Sequence, residues 1–154
     1  MRVRFPSPAP TMMICELCLP TKHILLWQNS FCRVVLLNDD DYPAYCRVEL
    51  LAHVKEMTDL IPTERVHIMQ VVFAVELAIR AIFNPAKINL ASLGNKTPHV
   101  HWHVIPRFES DKHFPNSHWG KAVREVDITK LDEKTTEILK KAIISQINLA
   151  LNMP

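Results

Sequence analysis

Residues 99–105 read His-Val-His-Trp-His-Val-Ile, an alternation of imidazole and apolar side chains. An extended strand keeps such a pattern on two faces, because successive side chains point to opposite sides. Val100, Trp102 and Val104 therefore face a core, and His99, His101 and His103 share the other face, ~7 Å apart. Three charged rings at that spacing would repel. With an ordinary pKa of ~6.5 they are more stable neutral, sharing protons, or bound to something. A surface patch with affinity for metal would carry the same histidines, but the cleanly apolar opposite face pins this strand and presents the rings rigidly. The trio alone leaves metal coordination and nucleophilic catalysis both open. A neutral imidazole attacks phosphorus without prior deprotonation and departs readily from an N–P bond. Neighbouring donors to phosphate oxygens would stabilise the charge that develops.

The flanking sequence predicts further short strands and two helices. His23–Gln28 and Phe31–Leu37 form a hairpin across Asn29-Ser30, and a polar loop from Asn38 ends at Pro43. Cys46–Leu51 is a third strand running into a helical turn over His53–Leu60. Pro62 and Glu64 open a long helix, with apolar residues at Val66, Met69, Val72, Phe73, Leu77 and Ala81, and Asn84-Pro85 stops it. Its stripe of Val66, Met69, Phe73 and Leu77 is core or subunit contact. Lys87–Leu93 and Val100–Ile105 add two strands, the second closed by Pro106, and 131–151 forms a closing amphipathic helix. The expected fold is α+β: an antiparallel sheet of about five strands with a long central helix and a C-terminal helix.

At 154 residues and 48% hydrophobic composition, the chain can bury one core, expected over 12–154 as a single domain. A net charge of +2, from 18 basic and 16 acidic residues, argues against binding to nucleic acid or membranes by bulk electrostatics. No run of about 18 apolar residues is present, so no membrane span is expected. Residues 1–11 hold Pro6, Pro8, Pro10 and two arginines without periodicity. Val3-Arg4-Phe5-Pro6 can be encoded by a stretch resembling the T-arm of a tRNA gene. The segment therefore reads as a basic arm, or as a mis-assigned start with the true one at Met12 or Met13. No secretory signal precedes Cys15, Cys18, Cys32 and Cys46, so a cytoplasmic, reducing setting is expected. Cys32 and Cys46, in apolar surroundings, read as core residues. Cys15-x-x-Cys18 has metal-ligand spacing but needs two more ligands.

The order His-hydrophobic-His-hydrophobic-His-hydrophobic-hydrophobic, matched fully by His99–Ile105 and followed by Pro106-Arg107, resembles the signature of the histidine-triad (HIT) superfamily of nucleotide hydrolases and transferases. The order of strands and helix from about Ile14 to Phe108 is similar to that family's fold. The C-terminal part resembles a bacterial subgroup described as diadenosine-tetraphosphate-hydrolase-like. The resemblance implies a covalent nucleotidyl intermediate on His101, with His103 contacting phosphate or assisting the leaving group. It places Asn89 or Asn95 at ribose or phosphate and Asn38 at the ribose. The glycine-rich stretch before the triad is reduced to Gly94, so Ser92 or Lys96 shares the phosphate contact. It also implies a structural zinc held by Cys15, Cys18, His53 and His99, and a homodimer formed through the long helix and a continued sheet.

The remaining polar residues have plainer readings. His67 is packed or at the surface, His23 opens a strand, and Asp39-Asp40-Asp41 forms a solvated turn rather than a cation site. The loop with His113, His118 and Trp119 either is pinned by an aromatic residue or closes over a base or a partner's site. The expected activity is hydrolysis or transfer of a nucleotidyl group from dinucleoside polyphosphates or related nucleoside-P-X substrates. The alternatives are a nucleoside phosphoramidase and a nucleotide-binding regulatory protein with weak turnover. A zinc module binding nucleic acid fits poorly, because the chain has no basic stripe.

Overall fold

The computed structural model describes residues 15–37, 39–127 and 130–152. The arm expected over residues 1–11 and the ribose ligand expected at Asn38 lie outside them.

Five strands form one antiparallel sheet: β1 (Ile24–Gln28), β2 (Cys32–Leu36), β3 (Cys46–Leu50), β4 (Lys87–Ala91) and β5 (His101–Arg107). Their spatial order is β1-β2-β3-β5-β4, so the histidine strand lies between β3 and β4. Helix α1 (Pro62–Phe83) connects β3 to β4, and α2 (Glu133–Leu151) closes the chain. The α+β expectation is met. α1 starts with Pro62 in its first turn, and Glu64 accepts from the Ile61 N–H at 3.1 Å. It ends at Asn84, whose φ of 43° is the left-handed conformation that stops a helix. The Asp132 carboxylate caps α2 by accepting from the Thr135 N–H at 2.7 Å.

Both helices pack on one face of the sheet, α1 over β3 and β5, and α2 against α1 and β1. Val34, Val48, Leu50 and Val104 of the sheet meet Ile68, Val71, Val72, Val75 and Ile79 of α1 and Leu139, Ile143 and Ile147 of α2 in one buried core. α1 has the length and hydropathy of a membrane span, with a mean hydropathy of 1.8 over 18 residues. Its inner face is nevertheless committed to that core. Cys32 and Cys46 lie in the core as expected, and burial pushes the Cys32 thiol up to about 12.

Several boundaries differ from the sequence expectation. β5 does not stop at Pro106 but runs to Arg107, pairing Pro106 with Ile88 of β4. Pairing with β3 ends at Val104, so beyond it one side of β5 is an edge, where a residue without an N–H is tolerated. β4 ends at Ala91 rather than Leu93, and the expected turn over His53–Leu60 shrinks to a 3-10 turn at Met57–Asp59. Along α1, Val66, Phe73 and Leu77 are exposed, so within one chain they are not core. The helix is apolar around most of its circumference, and periodicity could not select the buried side.

Candidate active site and metal centre

The face of the sheet away from the helices carries the polar residues. On β3, Arg47 and Glu49 alternate with the buried Cys46, Val48 and Leu50. The register sets Glu49 opposite His101 and Arg47 opposite His103. Arg33 of β2, opposite Glu49 on its other side, donates from Nε to the Glu49 carboxylate at 2.6 Å, and Arg47 Nε donates to the second carboxylate oxygen at 2.6 Å. Glu49 is fully buried, so one carboxylate serves two guanidinium groups. Arg33 also donates to the Leu17 and Leu19 carbonyls, each at 3.1 Å, tying the amino-terminal segment to the sheet.

His101 is buried at 6% exposure, and its Nδ1 lies 2.6 Å from the His99 carbonyl. A carbonyl only accepts, so Nδ1 carries the proton, and Nε2 is left as a bare lone pair. Burial lowers the His101 pKa, partly offset by that backbone hydrogen bond. The ring is therefore neutral and nucleophilic at neutral pH. The His103 ring stands 4.9 Å from that of His101, edge to face, and its Nδ1 lies 2.6 Å from the Tyr45 hydroxyl. Burial first, then the charges of His101, Arg47 and His118, lower the His103 pKa to about 3. Both rings open onto a pocket of ≈ 430 Å³, rimmed by Gly94, Asn95, Lys96, Thr97 and Trp119.

His99 departs from its companions. Its ring, 1% exposed, turns toward the amino-terminal segment, with Nδ1 3.5 Å from Cys15 Sγ and 3.6 Å from Cys18 Sγ. His53 Nδ1 lies 3.3 Å from Cys18 Sγ, and one ligand atom from each of the four side chains falls within 4.8 Å of the others. These four residues form a Cys₂His₂ set able to hold a metal ion. The Nε2 of His99 donates to the Leu50 carbonyl at 2.9 Å, which leaves the Nδ1 lone pair available to a metal ion.

The structure brings Asn95 to the pocket of His101 and His103, and it separates Asn89 and Ser92 from it. Asn89 accepts from Arg107 at 2.8 Å and lines a neighbouring hollow of ≈ 530 Å³ with His118 and Trp119. Ser92 spends its hydroxyl on the His101 carbonyl at 2.9 Å. The loop after β5 is pinned. Asp111 accepts from Arg107, His113 and Phe114, and the Tyr42 hydroxyl lies 2.6 Å from His113 Nδ1. The same loop carries His118 to within 3.4 Å of the Tyr45 hydroxyl and leaves Trp119 60% exposed at the pocket rim. Asp39 closes its own turn and Asp40 and Asp41 pair with Lys130 and Lys112, while His67 accepts from Asn29. Tyr45, Arg47, Glu49 and Arg33 escaped the sequence reading. The alternation Arg47-Val48-Glu49 was the available signal for two of them.

A five-stranded antiparallel sheet with helices on one face and alternating histidines on the other is the architecture of histidine-triad proteins. The HIT domain family matches residues 20–110, more than half of the sequence, and the chain belongs to that family. Solved structures agree. A histidine triad protein from Bradyrhizobium japonicum superposes with a TM-score of 0.65 at 24% identity, over 81% of this chain and 90% of that one. One from Sinorhizobium meliloti gives 0.64 at 25%, over 80% and 89%. A zinc-bound histidine triad family protein from Mycobacterium smegmatis gives 0.59 at 20%, over 89% and 98%. No curated protein matches the sequence.

Proposed function

We propose that the protein is a nucleotide hydrolase or nucleotidyl transferase in which His101 attacks the α-phosphorus of a nucleoside-P-X substrate, dinucleoside polyphosphates being the favoured class. The observation that carries this reading is the buried His101 ring, whose Nδ1–H is held by the His99 carbonyl at 2.6 Å. That leaves Nε2 with a lone pair, needing no prior deprotonation, on a ring that lines the 430 Å³ pocket. Attack forms the Nε2–P bond, and the P–O bond to the leaving group breaks with its electron pair. His103 hydrogen-bonds the leaving oxygen. Asn95 and Lys96, on the pocket rim, contact phosphate oxygens, and Asn38 takes the ribose. Water then attacks phosphorus and loses its proton to solvent, and His101 leaves as neutral imidazole. Asn89 and Ser92 act at one remove, Asn89 through Arg107 and Ser92 through the His101 backbone.

Zinc fits the Cys15, Cys18, His53 and His99 set. A tetrahedron with bonds of ~2.3 Å to sulfur and ~2.05 Å to nitrogen has S···N edges of about 3.6 Å; three of the four S···N pairs here lie at 3.3 to 3.6 Å, and all four ligand atoms fall within 4.8 Å of one another. With all four positions filled by protein, a bound zinc would be structural and would supply rigidity rather than an open coordination site. It would fix the His99 backbone whose carbonyl orients His101. Homodimerisation through α1, in a cytoplasmic setting, completes the reading, and the exposed Val66, Phe73 and Leu77 support it.

His101→Ala tests the mechanism with diadenosine tetraphosphate. Turnover is expected to fall by about 10³-fold or more, while binding of a non-hydrolysed analogue persists. Equal turnover by both proteins would remove the nucleophile assignment. Binding without turnover in both would favour a regulatory nucleotide-binding role.

A further inference from the structure

We propose that Tyr45, backed by His118, is a positioning residue that keeps the His103 proton on Nε2, so that His103 meets the substrate as a hydrogen-bond donor. The inference deepens the catalytic reading above and rests on it. The geometry is specific to one hydroxyl. Tyr45 Oη lies 2.6 Å from His103 Nδ1 and 3.4 Å from His118 Nε2, and Tyr45 is itself 4% exposed. Among the described residues no side chain or backbone group bonds His103 Nε2, and His103 lines the pocket beside His101.

A phenol carries one proton and can donate once. Two arrangements satisfy the three groups. In the first, Tyr45 O–H donates to His103 Nδ1 and accepts from His118 Nε2–H, so the His103 proton sits on Nε2. In the second, His103 Nδ1–H donates to Tyr45 Oη, Tyr45 donates to His118, and His103 offers a bare lone pair to the pocket. Phosphate oxygens only accept, and a bare lone pair would repel them. The first arrangement alone lets His103 donate to a leaving oxygen. The 2.6 Å contact to His103 is also shorter than the ~2.7–3.2 Å usual for an N–H donor, which favours the hydroxyl as the donor. Burial raises the Tyr45 pKa and lowers those of His103 and His118, so near neutral pH the three groups hold one proton each. No proton moves along the chain during attack. The Nε2–P bond forms on His101, the leaving group departs with its electron pair, and His103 Nε2–H stabilises that charge. His118 belongs to the loop that also bears Trp119, whose ring stands 4.5 Å from it. The wall of the pocket and the tautomer of His103 therefore depend on the same segment.

Nitrogen-15 NMR of histidine-labelled protein, with the His103 signals assigned by their loss in His103→Gln, reads the tautomer directly and needs no turnover. The expected wild-type spectrum shows His103 protonated on Nε2, with Nδ1 shifted as a hydrogen-bond acceptor. In Tyr45→Phe that shift is lost and a population protonated on Nδ1 grows. Activity adds a second arm, comparing the p-nitrophenyl and phenyl esters of adenosine 5′-monophosphate. The phenyl ester, a poor leaving group, should slow about 10- to 100-fold in Tyr45→Phe, and the p-nitrophenyl ester less than about threefold, whereas a merely structural loss would slow both alike. A wild-type His103 protonated on Nδ1, or signals unmoved in Tyr45→Phe, would overturn the proposal. If the wild type hydrolyses neither ester, the catalytic reading fails while the tautomer measurement still decides the role of Tyr45.

Discussion

His101 and His103 are spaced two residues apart on one strand, yet the surrounding chain gives them different protonation chemistry. The His99 carbonyl accepts a hydrogen bond from the Nδ1–H of His101, while the Tyr45 hydroxyl faces the Nδ1 of His103. Both rings are kept neutral chiefly by burial, and in His103 the Arg47 guanidinium and competition with protonation of His101 and His118 add to it. A base with its folded pKa below the unfolded one binds fewer protons in the native state, so stability is lost as pH falls. For His103 the window runs from the ordinary value of ~6.5 down to about 3. The thermal midpoint of the wild type should therefore fall through that range more steeply than that of His103→Gln, and the difference between the two curves isolates this ring. Parallel curves would show that His103 does not titrate with folding.

At the scale of elements, the 3-10 turn at Glu16–Cys18 forms no part of the sheet. A single turn has too few internal bonds to stand alone. Its anchors are the Arg33 guanidinium on the Leu17 and Leu19 carbonyls, the Cys15 and Cys18 thiols beside His53 and His99, and the Thr97 hydroxyl, which donates to Glu16 at 3.2 Å. Removing zinc should release the thiol anchor and leave the Arg33 and Thr97 contacts. Purified without a histidine tag, the protein is expected to hold one zinc per chain. Chelation should raise amide exchange over 15–22 well before the core strands, because opening this segment exposes little core. Cys18→Ser should reproduce that pattern. Zinc well below one per chain would dismiss the metal centre.

For the molecule as a whole, the two helices cover one face of the sheet and leave the other to the polar residues and the His101 and His103 rings. α1 has further apolar surface after its inner face is buried, with Val66, Phe73 and Leu77 at 58%, 50% and 50% exposure. Exposed large apolar side chains on one helix are the usual mark of an interface. The proposed homodimer predicts that Phe73→Glu shifts sedimentation from dimer to monomer while the far-ultraviolet circular dichroism is retained. A monomeric wild type would end that proposal.

The alternation over 99–105 was enough to identify a strand, its buried side and the two histidines that stay on the open face, because period-2 patterning is a local property of the chain. The hairpin, the helices and the core cysteines were legible for the same reason. Local sequence could not say that His99 turns away to meet Cys15 and Cys18, 84 and 81 residues distant, beyond the expectation that the family resemblance supplied. Nor could it show that Glu49 bridges two arginines from different strands, or that Tyr45 and His118 converge on His103. Those relations depend on strand register and on the path of a loop. Only packing of the whole chain sets either, and that packing divides three equally spaced histidines into one facing the thiols and two facing the pocket.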